Sequence, residues 1–177
     1  MTRRGGALFS PDEVRLIAGL ARGHTRRRIA ADLGIPEETV FSRLRGLGMR
    51  LRISGAIQPV LVHYGYGYGY LADLAPEEPR QAQLTARQET VLRMTAHGFT
   101  VQEIAAALVL SVNTVGTHRR RLYRMLGARS AAHAVALGWQ AGVLHHRSGR
   151  RVASASSGDR PLAAAGDAGG PPVRSAA

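Results

Sequence analysis

Residues 100–127 read TVQEIAAALVLSVNTVGTHRRRLYRMLG. Thr100 is placed to cap a short helix that carries Ile104, Ala105 and Leu108, and the small alanines let another helix cross closely. Val109-Leu110-Ser111 then forms a tight turn, and a longer helix follows. Val115, Leu122 and Leu126 recur on it with helical spacing and make a buried stripe. On the other side Thr117, Arg120, Arg121 and Arg124 lie at i, i+3, i+4 and i+7, which places three guanidiniums and a hydroxyl on one exposed face. A solvated charged face is the ordinary outcome of such a run. Here no Glu or Asp occurs between Ser111 and Arg129 to pair with the arginines. Like charges held together repel, and an anionic partner relieves that penalty.

Working outward, the same plan occurs earlier in the chain. A gapless shift of 75 residues lays Ala21, Gly23 and Thr25 on Ala96, Gly98 and Thr100. It also lays Ile29, Ala30, Ala31 and Leu33 on Ile104, Ala105, Ala106 and Leu108. Thr39, Val40, Arg45, Leu47 and Leu51 fall on Thr114, Val115, Arg120, Leu122 and Leu126. Each copy opens on a capping box, Ser10-Pro11-Asp12-Glu13 in the first and Thr85-Ala86-Arg87-Gln88 in the second. Leu16, Ile17 and Leu20, and in the second copy Val91, Leu92 and Met94, continue with helical spacing. Gly23 and Gly98 stop these helices. In the first copy Val40, Leu44, Leu47 and Leu51 form the third helix's buried stripe.

The chain has 177 residues and a formal net charge of +12, and every basic residue is arginine. Residues 1–60 hold eleven arginines against five acids, and residues 84–147 hold eight against two. The excess points to a polyanion, most simply nucleic acid. With no cysteine there is no disulfide, thiolate metal site or cysteine nucleophile. No apolar stretch approaches the roughly 20 residues of a bilayer span. Arg3 and Arg4 are not followed by the apolar run of a signal peptide, so a cytoplasmic, nucleoid-associated protein is expected. The seven histidines, among them His118, His145 and His146, have no accompanying carboxylates at metal or triad spacing. No enzyme activity, cofactor or metal is expected.

Residues 84–135 resemble the LuxR/FixJ-type helix-turn-helix domain of bacterial regulators. The likeness lies in the opening Leu84-Thr85, the Val91-Leu92 pair, Gly98, Glu103-Ile104-Ala105, Ser111-x-x-Thr114-Val115-x-x-His118 and the closing Leu126-Gly127. Residues 9–49 resemble it more loosely. The resemblance implies four helices per copy, with the third in the major groove. It places Gly116, Thr117 and Arg120 toward bases and Asn113, Thr114 and Arg124 toward phosphates, and His118 and Arg121 are counted with them as DNA-binding residues. In the first copy Thr39, Ser42, Arg43 and Arg45 take the corresponding places, with Arg26, Arg27 and Arg28 nearby. Three departures matter. Gly116 stands where the family usually has Lys, Phe41 holds that place in the first copy, and Pro36 stands where Ser would cap. The family commonly dimerises through its fourth helix, here near Ser130–Gln140 with Ala131, Ala132, Val135, Ala136 and Trp139 as its apolar face, which implies either a homodimer contact or, favoured for Trp139, core packing. Its counterpart runs from about Ser54 to Val62.

The expected fold is therefore all-α, with two tandem four-helix domains over residues 8–63 and 84–146. A Tyr/Gly-rich linker (64–83) joins them, and a disordered tail (147–177) follows. A connector of about 20 residues reaches about 65 Å, beyond the ~34 Å between half-sites one helical turn apart. The expected partner is double-stranded DNA, bound with avidity through two linked modules. The rival is a protein-interaction module that grips RNA polymerase, a sigma factor or another regulator through the divergent first copy.

Overall fold

Among the residues described by the computed structural model, 7–77 and 83–145, all regular structure is helical. The helices are α1 (Pro11–Ala21), α2 (Arg26–Leu33), α3 (Glu37–Arg50), α4 (Ile57–Gly67), α5 (Ala86–Ala96), α6 (Val101–Leu108), α7 (Val112–Leu126) and α8 (Ala131–Gln140). The bounds of α1 and α2 recur in α5 and α6 at the 75-residue offset, and α7 outruns α3 by one residue. The tail expected to be disordered lies outside the described residues.

Local chemistry explains the starts. Ser10 accepts from the Glu13 amide at 3.3 Å while the Glu13 carboxylate accepts from the Ser10 amide at 2.8 Å. Thr85 and Gln88 repeat the arrangement, and Thr100 and Glu103 add a third box at α6. Burial raises the Glu13 pKa, but the Arg50 guanidinium and the contacts with Ser10 outweigh it, so the carboxyl titrates below its ordinary value. The turn between the second and third helices begins on Gly34 in the first copy, with φ +64°, and on Val109 in the second, with φ +54°. A β-branched residue in that region is strained.

The expectation of two modules on a free connector needs correction. The Tyr/Gly stretch is not all linker: α4 extends through Gly67, and the chain then turns back with Leu71 buried. Its rings have partners. Tyr66 stacks on Trp139 at 5.9 Å with planes 11° apart, and Tyr70 packs edge-on against Phe9 at 5.2 Å. The fourth helix of the first copy thus begins later and ends later than the Ser54–Val62 expected, because Leu61 and Val62 need a buried face and Tyr66 needs Trp139.

Among the described residues the most extensive helix–helix contact is between α4 and α8, and each copy's first helix also packs on the other copy's fourth. One continuous apolar core therefore runs through both copies, from Leu16 and Ile29 to Ile104, Leu122 and Val135. Gly98 sits where α4 begins, and its carbonyl accepts from the Ala56 amide at 2.9 Å. Gly23 occupies the reciprocal place beside α8, where a methyl would fall 2.6 Å from Nδ1 of His133. Arg129 donates to the Arg22 carbonyl at 3.0 Å and to Glu77 at 2.8 Å, closing the same seam.

His133 is fully buried there. Its Nδ1 accepts from the Arg129 amide at 3.1 Å, which leaves the neutral ring's proton on Nε2, 3.3 Å from Glu77. Burial lowers its pKa below 6.5 despite the opposing pull of Glu77, with Arg129 and His24 acting in the same direction as burial. The unfolded chain then binds this proton more readily than the folded one. Stability is complete above about pH 6.5 and is lost as the pH falls below that value toward the folded pKa. Melting temperature should drop between pH 7.5 and 5.5, and His133→Gln should flatten that dependence. Val109 is 91 % exposed, so it contributes little packing. Val109→Gly should relieve its strained φ and stabilise the fold by about 1 kcal/mol, read as a higher melting temperature.

Candidate nucleic-acid interface

The surface in question is the outer face of α7. Val115, Leu122 and Leu126 are buried beneath it. Successive residues turn by about 100°, so Asn113, Thr117, Arg120 and Arg124 fall on one line along the side away from the core. All four are exposed, as are Thr114 and Arg121. His118 is half-buried toward the flank, and Gly116 is half-exposed beside the line.

The amino end of α7 is held by Ser111, whose hydroxyl accepts from the Thr114 amide at 3.0 Å and lies 2.8 Å from the Thr114 hydroxyl. One turn on, the Thr117 hydroxyl donates to the Asn113 carbonyl at 3.1 Å and accepts from Nη2 of Arg120 at 3.2 Å. Arg120 is thereby pre-oriented along the face. Arg119 is drawn off it: its guanidinium donates to the Tyr123 hydroxyl at 2.9 Å and lies 5.5 Å from that ring's centre.

Among the described residues, no carboxylate lies within 4.0 Å of Arg120, Arg121 or Arg124. The acids of the second copy are engaged elsewhere. Glu89 pairs with Arg93 at 3.1 Å, and Glu103 closes its capping box, where the Thr100 amide and hydroxyl lower its pKa. The face therefore combines an uncompensated positive charge with hydroxyl and amide groups. That combination suits phosphate oxygens and base edges.

The first copy does not reproduce it. Ser42 and Arg45 are exposed on α3, in the places of Thr117 and Arg120. Thr39 is half-buried, and Arg43 lies 4.0 Å from Asp12. Glu38 and Met49 replace Asn113 and Arg124, and Glu37 and Glu38 occupy the first turn, where an incoming phosphate would meet their charge. Arg50 is bound by Glu13 at 2.9 and 3.0 Å, Arg26 lies 3.8 Å from Glu37, and Arg28 lies 2.9 Å from Asp32. Pro36 offers α3 no side-chain cap. Three features of the site escaped the sequence reading: Val112, 47 % exposed at the start of α7, the Arg119–Tyr123 pair, and the open space above Gly116. The i,i+4 spacing of Arg119 and Tyr123 is the one legible signal among them.

No helix among the described residues is long and apolar enough to cross a membrane. Comparison with known proteins bears on the second copy. The chain is 43% identical over 65 residues to the probable transcriptional regulatory protein SgaR of Hyphomicrobium methylovorum, which covers 37% of this chain and 30% of that one. It is 39% identical over 92 residues to the transcriptional regulatory protein YhcZ of Bacillus subtilis, covering 51% and 40%. It is 43% identical over 63 residues to the transcriptional regulatory protein UhpA of Salmonella typhimurium, covering 34% and 32%. The chain thus spans between 30% and 40% of the length of these curated relatives. No solved structure matches. The family described as bacterial regulatory proteins, luxR family, matches residues 82–137, which contain α5, α6, α7 and most of α8. Residues 82–137 therefore form a LuxR-type helix-turn-helix domain.

Proposed function

We propose that the chain is a sequence-specific, double-stranded-DNA-binding transcription regulator in which α7 enters the major groove. Thr117 and Arg120 read base edges, Asn113, Thr114, Arg121 and Arg124 hold phosphates, and His118 supports the helix from its flank. The observation that carries this reading is the exposed α7 face, whose arginines have no carboxylate partner among the described residues. The first copy serves mainly as the covalent partner of α8. Its α4 packs on α8, the helix through which a homodimer was expected, so α8 finds a partner helix within one chain. From α3, Ser42 and Arg45 add a minor contact to the same duplex, while Thr39 and Arg43 are engaged by the core and by Asp12.

A second reading has its own observation. Phe41 and Met49 are 43 % and 68 % exposed on α3, whose first turn carries two carboxylates. That surface suits a protein such as RNA polymerase or a sigma factor better than a phosphate backbone.

Binding to duplexes selected from a random pool tests both. Arg120→Ala should cost about 1–3 kcal/mol at the preferred site and blur its sequence, whereas equal loss on random DNA would reduce Arg120 to a phosphate contact. Arg124→Ala should weaken binding alike on all sequences and lower the slope of log affinity against log salt by about 1. Arg45→Ala should cost under about 0.5 kcal/mol, within the range of an ordinary surface substitution. A loss equal to that of Arg120→Ala would make α3 a full second reader.

A further inference from the structure

Glycine in a helix interior weakens it, so each such glycine needs a reason. For Gly19, Gly48, Gly65 and Gly138 the reason is packing. A methyl at these positions would fall 2.7–2.8 Å from Ile29, Ile57, Leu71 and Leu92 respectively. Gly116 is different. A methyl there would point into open space, its nearest neighbour being Nη1 of Arg120 at 3.9 Å. Gly116 has an ordinary helical backbone and lies half-exposed beside the reading line of α7. One turn before it stands Val112, exposed beside Asn113 and Thr114. Residues four apart are neighbours on a helix surface, so the bare Cα of Gly116 next to the methyls of Val112 leaves a shallow notch in this face, apolar on the Val112 side and edged by the Arg120 guanidinium.

Resting on the DNA reading above, we propose that this notch receives the C5-methyl group of a thymine in the major groove. That methyl is the apolar feature which a base pair exposes there, and it lies beside the acceptors and donors that Asn113 and Arg120 would meet. Gly116 then sacrifices helix stability so that the backbone of α7 can approach the base edge closely. Gly116 and Val112 act as specificity determinants by shape, where Thr117 and Arg120 act by hydrogen bonding.

The test pairs a methyl added to the protein with a methyl removed from the DNA, using the full chain and its preferred duplex. Gly116→Ala should raise the melting temperature by about 3 °C and weaken binding to that duplex about tenfold. Gly46→Ala, a helical glycine of α3 with nothing within 4 Å of its added methyl, should stabilise without changing binding. Replacing one thymine of the site by deoxyuridine should weaken the wild type about fourfold and should weaken Gly116→Ala much less, because the two methyls compete for one space. Unchanged binding by Gly116→Ala overturns the notch, as does a loss that is the same on thymine and deoxyuridine duplexes. If the wild type selects no duplex at all, the DNA reading fails and the notch fails with it.

Discussion

The packing of α4 against α8 is the constraint on which the remaining architecture depends. A helix such as α8, with Ala132, Ala134, Val135 and Ala136 all buried, cannot stand at the surface of a four-helix unit without leaving a large apolar face in water. In this chain the corresponding helix of the repeat covers it. The contact draws in the elements around it: the two turn glycines approach the opposite copy's fourth helix, Tyr66 lies flat on Trp139, and Gln140 reaches the Tyr66 hydroxyl at 2.9 Å. Together these place the two copies in one core.

Within that shared core the copies have divided their electrostatic roles. The first copy pairs several of its arginines with its own acids. Arg50, Arg28 and Arg26 each have a carboxylate within reach, and the first turn of α3 is acidic. The second copy turns its acids inward on capping and on Arg93, and leaves α7 with a bare positive face. Two helices of almost equal length thus present unlike surfaces to an anion. Val40 and Leu47 of α3 keep their counterparts Val115 and Leu122 in α7, but buried Leu44 and Gly48 give way to Arg119 and Tyr123, and the exposed positions differ as well.

Much of the fold was legible because helical starts, stops and apolar stripes are local. Ser10, Thr25, Thr85, Thr100 and Ser111 all cap the helices that their spacing implied. The exposed line through Thr117, Arg120 and Arg124 was legible too, because periodicity fixes a face. Pairing between copies was not, since contacts such as Tyr66–Trp139 and Gly23–His133 join residues far apart in the chain and leave no periodic trace. The Tyr/Gly run was the most misleading segment. Alternating glycines suggest a flexible strip, yet Gly65 is required where Leu71 folds back, leaving 2.8 Å to an added methyl. Likewise the compensation of Arg50 by Glu13 is invisible until α1 and α3 are brought side by side.

The internal pairing of the fourth helices has an evolutionary consequence. In a dimer of identical chains every substitution appears twice, so a change that improves one half of an operator is imposed on the other half as well. Here the two halves are encoded separately, and each mutation is felt once. One half can change its surface while its twin keeps its own, and no symmetry between the two is imposed.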